Sequence, residues 1–108
     1  MRKVMILIFG LILGHQAVAD CSGGNCTGVT ITRLYVIANG DTVISTSGDE
    51  SQLSCSAGPS GYIRLTSNST NYNAAYSLLL TSHISQTPIW IRTSDSGTCT
   101  VTYVVSDK

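Results

Sequence analysis

Four cysteines, Cys21, Cys26, Cys55 and Cys99, follow an apolar leader in a chain of 108 residues, and they constrain the fold more than any other feature. A domain this small buries a limited core, so crosslinks supply stability that packing alone does not. Three pairings are formally possible. The favoured one joins Cys21 to Cys26 as a local loop and Cys55 to Cys99 as the long-range staple. Loop-closure entropy credits the long bridge with about 4 kcal/mol and the short one with about 2 kcal/mol. A metal site is the competing use of cysteine. It is poorly served here, because paired Cys-x-x-Cys spacing is absent and His83 is the sole histidine behind the leader. The expectation is two disulfides, no metal and no cofactor.

The leader is Met1-Arg2-Lys3, then the apolar run from Val4 to Leu13, then Ala17-Val18-Ala19. A cationic start, a short apolar core and a small-x-small site spell a secretory signal over residues 1–19, cleaved before Asp20. The run is too short to cross a bilayer core of about 30 Å, and no second one follows, so no membrane span is expected in the mature chain. Residues 20–108 are expected to form one secreted or periplasmic domain. Its basic residues are Arg33, Arg64, Arg92 and Lys108, against Asp20, Asp41, Asp49, Glu50, Asp95 and Asp107. That slightly acidic balance, with no basic run, argues against nucleic acid as a partner.

One segment behind the leader reads as a helix. Tyr72, Ala75, Tyr76, Leu79, Leu80 and His83 recur at three- and four-residue steps, with Ser69, Thr70 or Asn71 available as a cap and Pro88 forcing an end near Ser85 to Gln86. The rest reads as strand and turn. Val29 to Ile37 is a β-branched run, Asn39-Gly40-Asp41 is the strongest hairpin turn, and Thr42 to Thr46 is the returning strand. Gln52 to Cys55 reads as a short strand. Tyr62 to Thr66, Ile89 to Thr93 and Cys99 to Val105 alternate as half-buried strands do. The order β-β-β-α-β-β, mainly β with one helix, predicts a small five- to six-strand barrel of the oligosaccharide/oligonucleotide-binding (OB) type, stapled by disulfides. A β-sandwich is the alternative, and it leaves the helix without a place.

Two stretches carry a family likeness. Thr27-Gly28-Val29-Thr30-Ile31-Thr32 resembles the Ser-Gly-Val-x-Ile-Thr opening of the first strand in B subunits of subtilase-cytotoxin-type AB5 toxins. Tyr76 through Arg92 resembles that family's helix and following strand. The resemblance implies a five-fold ring of OB-fold subunits that binds host glycans or glycoproteins and carries a toxic A subunit. Thr27 stands where the family has a sugar-contacting serine, and Thr93 where it has a pocket tyrosine. Thr27, Arg92 and Thr93 are therefore the glycan candidates.

Three further residues point to oligomer contacts. Leu78-Leu79-Leu80 spans about 200° of helix at 100° per residue, wider than one buried face needs, which leaves Leu78 and the neighbouring Ala74 for a second subunit. Trp90 and Arg92 point away from the predicted core on one strand face, and aromatic and Arg side chains are enriched at interfaces. No Gly-x-Ser-x-Gly elbow accompanies His83, so no catalytic residue is assigned and an enzyme is not expected. The expected function is a glycan-binding toxin-like module. The alternative is a secreted or periplasmic protein-interaction domain, an inhibitor or assembly factor, on the same fold.

Overall fold

In the computed structural model, residues 19–107 are described, so all of the leader before Ala19 lies outside the described residues. Seven strands and one α-helix follow: β1 (Asp20–Ser22), β2 (Asn25–Val29), β3 (Ile31–Val36), β4 (Thr42–Thr46), β5 (Ile63–Leu65), α1 (Tyr72–Ser85), β6 (Ile89–Thr93) and β7 (Val101–Val105). A 3-10 turn over Glu50–Gln52 precedes β5. The described residues are mainly β with one α-helix, as expected, but the strands form two sheets rather than a closed barrel. One sheet has the order β1-β2-β6-β7 and the other β3-β4-β5.

The departure from a barrel begins at Thr30. The run Val29 to Ile37, expected as one strand, is cut there into β2 and β3, which belong to different sheets. Gly28 adopts φ +62°, and Ser47 grips Thr30 twice: its N–H donates to the Thr30 carbonyl at 3.0 Å and its Oγ accepts from the Thr30 N–H at 3.0 Å. A β-branched run favours extended backbone without saying which partner it pairs with.

Each sheet turns one face to a shared core. Cys26, Val29, Ile89, Ile91 and Val101 enter it from the four-stranded sheet, and Ile31, Ile44, Ile63 and Leu65 from the other. Helix α1 adds Ala75 and Leu79 to the same cluster and packs against β3, β5 and β7. Its bounds match the expected ones, but its cap does not. Asn71 makes no side-chain cap hydrogen bond; its Nδ2 donates instead to the Thr102 carbonyl at 3.1 Å, tying the helix start to β7. The far end closes as Pro88 requires, with Gln86 at φ 57° and its N–H bonded to the Ser82 carbonyl.

Both disulfides are the favoured pair. Cys21 and Cys26 face each other across β1 and β2, and Cys55 bridges to Cys99 over a separation of 44 residues, Cα–Cα 4.9 Å. Gln52 to Cys55 is not a strand. Asp49 caps the 3-10 turn by accepting from the Ser51 N–H at 3.1 Å, and Leu53 makes only an isolated bridge to Gly23.

The β3–β4 hairpin turns at Asn39-Gly40 with Gly40 at φ +94°. Asp41 locks it: one carboxylate oxygen accepts from the Ser67 N–H at 2.7 Å, and the other from Asn39 Nδ2 at 3.3 Å and Arg64 Nη1 at 3.4 Å. Those donors, the Ser67 amide foremost, hold its carboxyl below the usual range. A group depressed in the folded state stabilises above its ordinary pKa and ceases to do so as pH falls through its folded value. Unfolding followed against pH is therefore expected to show stability falling below roughly pH 4, with a shallower acid limb in Asp41→Asn. Identical limbs would disprove the assignment.

Candidate functional site

Alternation along β6 sets the site. Ile89, Ile91 and Thr93 are buried toward the core, so Trp90 and Arg92 lie on the outer face of the four-stranded sheet. On the flanking strands Arg92 registers with Asn25 of β2 and with Tyr103 of β7. Tyr103 is exposed and meets Trp90 edge to face, ring centroids 5.8 Å apart at 84°. Beside this pair runs a groove of about 550 Å³, walled by Pro88, Ile89, Trp90 and Gly28, with the hydroxyls of Thr27 and Thr87 and the carboxylate of Asp107 among its lining.

The sequence candidates divide. Thr27 and Trp90 share this groove. Arg92 turns to the Gly24 loop, where its Nη2 donates to Asp95 at 3.1 Å and its guanidinium fills the space a side chain at position 24 would occupy. Thr93 lies in the interior, 1% exposed, its N–H and Oγ both donating to the Gly24 carbonyl at 2.8 and 3.2 Å. Thr27, Arg92 and Thr93 thus line no common pocket. Ala74 and Leu78, exposed and half-buried, sit on α1, outside the groove that holds Trp90. Tyr103 escapes the sequence reading because strict alternation groups it with buried Val101; the register shift between Arg92 and Thr93 turns it to the outer face beside Trp90.

The groove lining offers aromatic and aliphatic walls with no imidazole or thiol. His83 is engaged elsewhere: its Nδ1 lies 3.1 Å from the Ile31 carbonyl oxygen and donates to it, pinning the end of α1 to β3. Among the described residues no group of three His, Cys, Asp or Glu side chains is placed to hold a metal ion, and no helix is long and apolar enough to cross a membrane.

Trp90 carries one anomaly. Its indole Nε1 is buried and meets no acceptor. An unpaired buried N–H costs about 1–3 kcal/mol. Trp90→Phe is expected to melt at or above the wild-type temperature, because it deletes that donor and keeps the ring, whereas Trp90→Ala is expected to lose about 2 kcal/mol of packing. Calorimetry decides; a large loss in the Phe variant would mean that the N–H has a partner.

These features define a class: a small two-sheet β protein, stapled by two disulfides, with an aromatic patch and an apolar groove on an outer face. Within that class the chain belongs to the PixA inclusion body protein family, whose family model matches residues 23–100. Membership in that family overturns the resemblance to AB5 toxin B subunits, and with it the glycan-binding function. The burial of Thr93 and the two separate sheets point the same way, since the likeness rested on a β-branched stretch and a leucine-rich helix that many folds share. No match was found among curated proteins or among solved structures.

Proposed function

We propose that this chain is an exported, non-catalytic packing protein whose folded units associate with one another into a dense protein body. The observation that carries this reading is the family itself, described as inclusion body protein, matched across nearly all of the described domain. The surface supports it. Tyr35, Val36, Ile84 and Tyr103 are large apolar side chains left 39–73% exposed, and charge is sparse at 11% of residues, so units can approach with little repulsion. Export is supported by the pairing of all four cysteines, the ordinary state in an oxidising compartment.

Sedimentation of the purified, oxidised chain over a concentration series tests this. Reversible growth past the dimer is expected. A single monomer at about 1 mM, where even a contact worth about 4 kcal/mol is half formed, would overturn the reading.

A further inference from the structure

Resting on that reading, we propose that the units join head to tail: the outer face of the four-stranded sheet of one copy seats on the outer face of the three-stranded sheet of the next.

The two faces match in kind and oppose in charge. On the three-stranded sheet, register places Tyr35, Val43 and Arg64 in one row across β3, β4 and β5. Ile44, Ile63 and Leu65 occupy the core side, so this row lies on the outer side of the sheet, where Tyr35 and Arg64 are open and Val43 between them is only 4% exposed. Tyr62 joins it, meeting Tyr35 edge to face with centroids 5.7 Å apart at 79° and accepting a hydrogen bond from Arg33 Nη1 at 3.0 Å. A shallow cleft of about 250 Å³ opens between these rings and Arg64. The other face repeats the plan with the Trp90–Tyr103 pair and its larger groove.

Internal ion pairs neutralise Arg64 through Asp41 and Arg92 through Asp95. Among the described residues this leaves Arg33 without a carboxylate on the first face, and Asp107 and Asp20 without a cation on the second, Asp107 at the groove and Asp20 on the edge strand β1. Pairing like with like would bring together two faces whose uncompensated charge has the same sign, which gains no ion pair and is disfavoured at interfaces. Pairing unlike faces brings cation to carboxylate and ridge to groove.

The inner faces of both sheets meet at one core, so the outer faces point away from each other. A contact between unlike patches repeats from copy to copy, and with the patches on opposite sides the chain of copies is free to stay open instead of closing into a small ring. That is the growth a dense body requires.

Two double variants test it, each disabling one face: Arg33→Ser with Tyr35→Ser, and Tyr103→Ser with Asp107→Ser. Each alone is expected to associate at least tenfold more weakly than wild type. Their equimolar mixture is expected to form discrete dimers that stop, because each variant keeps the face the other lacks. Melting curves and intact disulfides check the fold, and the single variants Arg33→Ser and Asp107→Ser, expected to weaken association in the same direction, stand in if a double variant does not fold. Loss in only one variant, or a mixture with no dimer, overturns head-to-tail pairing. Wild-type association in both variants overturns these faces while leaving the packing reading intact. A wild-type chain that stays monomeric overturns both.

Discussion

Replacing Cys55 and Cys99 together by alanine is expected to cost about 4 kcal/mol, which for a domain of this size lowers Tm by roughly 15–30 °C. The bridge closes the largest loop in the chain, with a separation of 44 residues, against 5 for Cys21–Cys26. Most of its effect lies in the unfolded chain, whose freedom it restricts. It also fixes where two irregular segments meet. Around it the Ser56 N–H donates to the Gly97 carbonyl at 2.7 Å, the Cys99 N–H to the Ser56 carbonyl at 3.0 Å, and the Arg64 N–H to the Cys99 carbonyl at 2.9 Å. Those bonds join β5 of one sheet to the approach to β7 of the other. Opening the Cys21–Cys26 bridge is expected to cost only about 2 kcal/mol, because the β1–β2 pairing already holds those residues together. Thermal unfolding of the two double variants orders them directly. An equal loss in both would mean that loop length does not govern the stabilisation.

Local signals made parts of this fold legible. A three- and four-residue repeat marks α1 because such spacing stacks side chains on one face, and Pro88 ends it for want of an N–H. Alternation marks β6 residue by residue, and Asn39-Gly40 marks its turn because Gly40 stands at φ +94°. The disulfide pairing was legible from compartment and spacing. What stayed hidden depends on partners far away in the chain. Thr30 is where strands change sheets because Ser47 grips it, and Asn71 leaves its cap role for a carbonyl of β7. Whether seven strands close into a barrel or split into two sheets is a matter of which distant edges meet. Alternation reports only which side of a strand is buried. The site suffered for the same reason. Parity along β6 puts Trp90 on the outer face, but its fellowship with Thr27 and Tyr103 comes from register between β2, β6 and β7. The family resemblance assigns Thr93 to a ligand, yet its own strand parity assigns it to the core.

The segment from Thr46 to Leu53 shows how one buried side chain imposes what local propensity does not, and it yields the second large effect. Glu50 is 8% exposed, and its Oε2 accepts from both the N–H and the Oγ of Thr46, itself buried. The other oxygen lies close to where a Cβ on Gly61, at φ +69°, would sit, so the carboxylate also fills the space beneath the turn before β5. Glu50→Ala would leave two buried donors of Thr46 without their acceptor and open a gap under Gly61. Each unmet donor costs about 1–3 kcal/mol, and water entering the gap recovers part of that, so a loss of about 3 kcal/mol is expected. Glu50→Gln keeps an acceptor and most of the volume, and is expected to lose about 1 kcal/mol. Gly61→Ala is expected to fall between them, since it combines a strained positive φ with crowding against Glu50. Denaturant unfolding at neutral pH ranks the three. If Glu50→Gln proved as damaging as Glu50→Ala, the carboxylate would matter for its charge rather than as an acceptor for Thr46, and the account of why this stretch coils into a 3-10 turn instead of a strand would fail.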